Sequence, residues 1–327
     1  MDRRKFLRLG AGMAAVGTLQ AYAAPIGFSA NAKRKPKDMI AAEFHEARRF
    51  VRTDQGRIAY FELGTGPVAV FLHGFPLNSF QWRGVIPQLA EYRRCIAPDF
   101  LALGYTEVAK AQSVTPTAQV HMLAAFLQEL SIGRVDLVAN DSGGAVAQLY
   151  VARYPDCVRS LLLTNCDTEP DSPPDAVQPV IELAHAGKFA DEWLVPWLAD
   201  KQLARSKKGL GGQCYMDSSH PTDEAIETYL GPLVESPARK ALTNAYAVGL
   251  SPNPLAGIEA ALKGSRVPTR IVWGAADNIF SQGSPAYLDR TFTRSCGVRR
   301  VPKAKLFFPE EMPALIAEEA IRLWRRS

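Results

Sequence analysis

The stretch Val138-Ala139-Asn140-Asp141-Ser142-Gly143-Gly144-Ala145 decides how this chain is read. It follows the apolar run Val135-Asp136-Leu137-Val138 and precedes a helical pattern over residues 144–154. A buried strand, a tight turn of small residues and then a helix is the local pattern of a nucleophile elbow, which lifts one side chain off a sheet. The glycines fit that turn, because a Cβ there would collide with the neighbouring strand or helix.

Working outward, residues 48–53 and 57–63 around Asp54-Gln55-Gly56 predict an antiparallel hairpin. The continuous apolar runs 68–72 and 160–165 predict central strands covered on both faces. Helices are expected at 79–91, with Asn78 or Ser79 as cap, and at 116–130 with Pro116 at its start. After Asp167 comes a proline-rich break, and residues 169–264 show helical fragments with no buried-strand run. Strand alternation resumes at 269–273 and 298–301, with helices at 284–291 and 313–324. Alternating strands and helices imply an α/β fold with a mostly parallel sheet flanked by helices. The expected organisation is a core at 45–168 and 265–327 with a helical cap inserted at 169–264. Residues 33–44 read as a loose lead-in.

The first 32 residues carry Arg3-Arg4, a mild Gly/Ala-rich apolar stretch and small residues that suit cleavage. This predicts a twin-arginine export signal, a periplasmic or secreted product, and the export machinery as a partner. The stretch is too short and too weakly apolar to serve as a stable membrane anchor. Of the net charge of +5, Arg3, Arg4, Lys5 and Arg8 against Asp2 account for +3. What remains is no nucleic-acid footprint. With 327 residues, 47% of them hydrophobic, a large core can be buried. Five scattered cysteines, in a chain expected to fold before export, predict free and mostly buried thiols. No Cys/His cluster has metal spacing, so neither metal nor cofactor is expected.

Four motifs stand in a consistent order. Leu72-His73-Gly74-Phe75-Pro76 leaves a buried strand, and its turn can present the Phe75 N–H as half of an oxyanion hole. Asp99-Phe100-Leu101-Ala102-Leu103-Gly104-Tyr105-Thr106 follows the next strand, then comes the elbow, and Trp273-Gly274-Ala275-Ala276-Asp277 places an acid at the end of a late strand. This set resembles the α/β-hydrolase superfamily over residues 45–327 apart from the cap, within the branch of haloalkane and haloacetate dehalogenases and epoxide hydrolases. The resemblance implies a small-molecule substrate, with Asp141 as nucleophile, Phe75 and Ser142 N–H groups as oxyanion hole and Asp277 as the triad acid. It departs from the branch most consequentially at the slot of the catalytic histidine, in Val301-Pro302-Lys303-Ala304-Lys305-Leu306-Phe307-Phe308, which falls on Leu306, unable to accept a proton. Ala102 and Thr106 also stand where the branch has glycine and serine, Ser142 where haloalkane dehalogenases have tryptophan, and residues 99–106 lack the arginines with which haloacetate dehalogenases grip a carboxylate.

If Asp141 attacks, Ala139, Gly143 and Gly144 supply the small residues the turn requires. If Ser142 attacks, Asn140 occupies a position where glycine is usual. An Asp nucleophile attacks an electrophilic carbon and forms an ester, which a general base must then open. His73, in the oxyanion loop, and His220, in the expected cap, are the histidines that could face the site; Lys305 and Glu310 flank the vacant slot, Glu310 reading rather as a helix-capping acid. Asp167 follows the strand after the elbow, close to where some dehalogenases keep their acid. Trp193 and Tyr215, Tyr229 and Tyr246 are candidate substrate contacts, the tyrosines because epoxide hydrolases protonate the epoxide oxygen with two of them. The readings weighed are a hydrolase of small apolar epoxide or carbon–halogen substrates, a non-hydrolytic lyase, isomerase or binding protein, and a Ser142 esterase.

Overall fold

Residues 39–109 and 111–326 are described by the computed structural model; the expected export signal at 1–32 lies outside them. Eight strands, β1 (Arg49–Thr53), β2 (Gly56–Leu63), β3 (Val68–Leu72), β4 (Arg94–Pro98), β5 (Val135–Asp141), β6 (Val158–Cys166), β7 (Thr269–Gly274) and β8 (Ser295–Val301), form one sheet in the order β1-β2-β4-β3-β5-β6-β7-β8. β1 and β2 form the expected hairpin, β2 pairs antiparallel with β4, and every later pairing is parallel. This is the mostly parallel α/β sheet that the strand–helix alternation implied, and it agrees with the fold that the resemblance to α/β-hydrolases implied.

Parallel pairing decides where the chemistry can sit, because it brings the carboxyl ends of β3, β5, β6, β7 and β8 to one edge of the sheet. β3 and β5 are buried along their whole length, as strands covered by helices on both faces must be. Leu72 is the ladder partner of Ala139, and Asp141 of Cys166. The turn after Leu72, the elbow after Ala139 and the segment after Cys166 are therefore immediate neighbours.

The helices Pro116–Glu129, capped by the Thr115 hydroxyl, Ser284–Thr291 and Pro313–Trp324 follow the sequence expectation closely. Two expectations need correction. Residues 79–91 do not form one helix: a 3-10 turn, Ser79–Trp82, capped by the Asn78 side chain, is separate from the helix Ile86–Leu89, which starts anew with Pro87 in its first turn, where a missing N–H is harmless. The described part of the lead-in is not loose: Ala41–Glu46 is helical and buries Phe44 against Phe61, with ring centroids 4.2 Å apart.

Between β6 and β7 the chain is helical, chiefly Gln178–His185, Asp223–Val234 and Pro237–Val248 with shorter turns between them. No helix among the described residues is long and apolar enough to cross a membrane. Cys95, Cys157, Cys166, Cys214 and Cys296 are all free thiols.

The elbow shows why small residues are needed. A Cβ on Gly143 would lie 2.5 Å from the His73 carbonyl oxygen, and one on Gly144 2.3 Å from the Cβ of Cys166. Neither β3 nor β6 can retreat without disturbing the sheet. Gly144→Ala is expected to cost about 1–3 kcal/mol of stability through this overpacking. Urea denaturation reads it directly, and an unchanged midpoint would contradict the packing argument.

Candidate active site

Asp141 ends β5 with φ 54° and ψ −133°, and the helix Ser142–Arg153 begins at the next residue. A non-glycine residue in that backbone region costs roughly 1–3 kcal/mol and persists only where its surroundings enforce it. The enforcement comes largely from Asn140. Its Oδ1 accepts from Gln81 Nε2 (2.6 Å), and its Nδ2 donates to Thr164 Oγ1 (2.8 Å), the Asn165 carbonyl (3.1 Å) and the Leu306 carbonyl (3.0 Å). Gln81 in turn accepts from the Gly74 N–H at 2.9 Å. One buried amide thus ties the elbow to the turn at Gly74 and Phe75, to β6 and to the Leu306 segment.

The Phe75 N–H donates to Asp141 Oδ2 at 2.6 Å, and the Ser142 N–H also bonds the same carboxylate. The two N–H groups expected to form an oxyanion hole therefore converge on the Asp141 side chain itself. Burial pushes the Asp141 carboxyl up to about 8, the nearby Asp167 adding to the shift and the two N–H bonds opposing it.

Asp141 opens onto a cavity of about 350 Å³. Phe75, Phe189, Trp193, Trp197, Leu210, Leu250, Ile279, Phe280 and Leu306 supply most of its wall, with Pro173 and Pro174 beside them. Its polar lining is Asp141, Ser142, Asp167, Lys208, Gln213 and Cys214. Such a cavity suits a small ligand that is largely apolar. The Trp193–Trp197 spacing visible in the sequence places both indoles on this wall, their rings 5.5 Å apart, across a π-helical turn at Ala190–Leu194 that single-sequence periodicity does not reveal.

Leu306, expected at the histidine slot, lines the cavity. Asp277 does not line it; Asn165 Nδ2 (2.7 Å) and the N–H groups of Ile279 (2.9 Å) and Phe280 bond its carboxylate. His73 is fully buried beside the Phe75 turn. Its Nδ1 donates to the Gly74 carbonyl (2.8 Å) and its Nε2 accepts from the Phe100 N–H (3.0 Å), so the neutral ring has no free lone pair. Burial lowers its pKa, in keeping with that neutral form. His220 stacks on Tyr215 at 5.4 Å and is absent from the cavity wall.

Tyr215 and Tyr229, candidates for contacting substrate, do not reach the cavity. Their hydroxyls donate to Glu310, at 2.5 Å to Oε1 and 2.8 Å to Oε2, and Glu310 is paired with Arg83. Glu310 is accordingly a buried ion-pair member and not a helix-capping acid. Lys305 Nζ donates to the Gly212 carbonyl at 2.6 Å. Tyr246 donates to Ser142 Oγ at 3.1 Å and stacks on Phe75. No imidazole lines the wall beside Ser142 to activate its hydroxyl. Sequence reasoning did not find Lys208, Gln213, Cys214, Ile279 or Phe280 on the wall; they come from loops and short turns without periodicity.

The alpha/beta hydrolase fold family matches residues 67–310 of the chain. The chain belongs to that family. A haloalkane dehalogenase of Mesorhizobium japonicum is 41% identical over 111 residues, 32% of this chain and 34% of that protein. A 2-hydroxy-6-oxo-2,4-heptadienoate hydrolase of Pseudomonas putida is 36% identical over 105 residues, 31% of this chain and 38% of that protein. The aligned parts thus span little more than a third of these relatives. The structure of a haloalkane dehalogenase from Bradyrhizobium elkani superposes with a TM-score of 0.69 over 86% of this chain and 99% of that one, at 22% identity, a likeness of fold. Among the described residues no group of histidine, cysteine or acidic side chains is arranged to hold a metal ion.

Proposed function

We propose that the protein is a hydrolase of small, largely apolar molecules with an electrophilic carbon, of the epoxide or carbon–halogen type, and that Asp141 attacks that carbon to form an ester as the carbon–halogen bond breaks and halide leaves, or as an epoxide C–O bond breaks and its oxygen takes up a proton. The observation that carries this reading is the Asp141 carboxylate, held on a strained elbow with Oδ2 bonded by the Phe75 N–H, at the floor of an apolar cavity. Attack by the other oxygen leaves the ester carbonyl oxygen in the N–H cradle, where charge builds when the ester is opened. The dehalogenase and hydrolase relatives support hydrolytic chemistry. Residues 99–106, where haloacetate dehalogenases carry the arginines that grip a carboxylate, contain none here, which favours uncharged substrates over haloacids.

Leu306 in the histidine slot, with no imidazole on the cavity wall, favours as second reading a lyase, isomerase or binding protein that no longer hydrolyses. One experiment separates the two. The protein is incubated with a terminal alkyl epoxide and with a primary alkyl bromide, quenched, and its intact mass recorded with the modified peptide mapped. An alkyl adduct on Asp141 together with free product is the expected result. Binding with neither adduct nor product would favour the second reading.

The raised Asp141 pKa gives this reading a pH signature. Only the ionised carboxylate attacks, so the alkylation rate is expected to rise with pH through about 8. Stability should move the opposite way. A carboxyl whose folded-state pKa lies above the unfolded value near 4 stabilises the fold fully below that value, and the contribution is lost as pH rises through the folded pKa. Asp141→Asn should therefore melt higher than the parent at about pH 9 and differ less at about pH 5. Melting curves that shift equally at both pH values would contradict the burial of this charge.

We also propose that the chain is exported through its Arg3-Arg4 segment and works outside the cytoplasm. Cell fractionation of the Arg3→Lys/Arg4→Lys variant tests it: cytoplasmic retention is expected, and unchanged export would remove the twin-arginine route.

A further inference from the structure

We propose that Asp167 is the base that activates water against the Asp141 ester, in place of the absent histidine. The inference rests on Asp141 being the nucleophile. Asp167 directly follows Cys166, the ladder partner of Asp141, so it leaves the sheet beside the elbow and on the same edge. Both carboxylates line the same cavity.

Every other cavity-lining side chain fails as a proton acceptor. Lys208 is a cation, and Gln213 and Ser142 are not basic. Burial raises the Cys214 thiol well above its ordinary value, which keeps it protonated. Away from the wall, His73 has both ring nitrogens engaged, Asp277 is bonded by Asn165 and two N–H groups, and Glu310 is paired with Arg83. Asp167 is held in place by two contacts that leave it at the wall: Ser172 Oγ donates to its Oδ1 at 2.8 Å, and Gln148 Nε2 donates to its main-chain carbonyl at 2.8 Å.

The titratable groups around it are Asp141 from β5, Asp171 from its own loop, Cys166 of β6 and Tyr246 of the helix Pro237–Val248, and Lys208 lines the same cavity. Asp171 is itself bonded by the Ser281 N–H (2.6 Å) and the Ser284 hydroxyl (3.2 Å). In this setting burial pushes the Asp167 carboxyl up to about 7, close to the value of the imidazole it would replace. A carboxylate with its ordinary acidity would be too weak a base near neutrality.

The step balances without a co-reactant. Asp167 takes a proton from water as the water oxygen bonds to the Asp141 carboxyl carbon. The oxyanion that forms is held by the Phe75 and Ser142 N–H groups. Collapse breaks the ester C–O bond and the departing alkoxide takes the proton from Asp167 to leave as the alcohol. Asp141, left as the free acid with the second proton of the water, regains its carboxylate by releasing that proton to solvent.

The test is Asp167→Asn, followed by quenched-flow intact mass with the same alkyl epoxide and bromide. Ester breakdown is expected to fall on the order of 10²–10⁴-fold, so that the alkyl adduct accumulates on Asp141 towards one per chain. In the parent, ester breakdown should rise with pH through about 7; in the variant this dependence should vanish. Asp167→Glu should restore part of the rate, and Leu306→His in the Asp167→Asn background offers a second route of rescue by returning an imidazole to its slot. An adduct that forms on the parent and breaks down equally fast in Asp167→Asn would overturn the role of Asp167 while leaving Asp141 in place. No adduct on either protein, with product still formed by Asp141→Asn, would overturn the nucleophile reading and this proposal with it.

Discussion

Asp141→Asn is expected to lower turnover of an epoxide or alkyl halide by on the order of 10⁴-fold or more, the scale seen when a covalent nucleophile is removed. The amide keeps the volume and the N–H contacts of the carboxylate, so the fold should survive and the loss should fall on the chemical step. The neighbouring elbow residue should behave differently. Ser142→Ala leaves the Ser142 N–H in place and removes only the hydroxyl bonded by Tyr246, so under this account it lowers turnover less than tenfold. Steady-state kinetics of the two variants therefore rank the elbow residues. A large loss in Ser142→Ala with a small one in Asp141→Asn would move the chemistry to the serine.

The second large effect is one of stability. Arg83 reaches Glu310 from beyond the 3-10 turn Ser79–Trp82, and Tyr215 and Tyr229 bond the same carboxylate from the helical segment between β6 and β7. Arg83 and Glu310 are 8% and 5% exposed, so removing one partner strands the other charge in the interior. Arg83→Met is expected to cost about 3–5 kcal/mol, whereas Arg83→Met combined with Glu310→Leu should cost less, since no unpaired charge remains. Chemical denaturation of the single and double variants forms the cycle that checks this. Glu310 lies four residues after Leu306, so the single variant should also loosen the wall of the cavity. Equal destabilisation by the single and the double variant would show that the pair matters only as packing.

How much could be read without coordinates follows from the range of each signal. The elbow, the strands Val68–Leu72 and Val158–Cys166 and the helices Ser284–Thr291 and Pro313–Trp324 are local patterns, and apolar runs, proline positions and small-residue turns carry them. The alignment of strand ends that gathers Asp141, Asp167 and the Phe75 turn follows from parallel pairing, which strand–helix alternation implies. The Arg83–Glu310–Tyr215–Tyr229 cluster was illegible, because it joins segments up to 227 positions apart and no local pattern links them. The two tyrosines look like substrate contacts in sequence because nothing local shows what their hydroxyls meet. Asn140 is the converse case. It seems out of place if the elbow is numbered from Ser142, yet its amide makes four hydrogen bonds that hold the turn. Those bonds direct it into the sheet side of the elbow and leave the following position, Asp141, to face the cavity.

The central claim is that the Asp141 carboxylate itself becomes bonded to substrate carbon. A single turnover in heavy-oxygen water, with enzyme in excess over an alkyl halide, tests it most directly. The account predicts that the heavy oxygen enters the Asp141 side chain, because water attacks the ester at the carboxyl carbon, and that the first product carries ordinary oxygen taken from the enzyme. Heavy oxygen found in the first product, with Asp141 unlabelled, would mean that water attacks the substrate directly and would contradict the account.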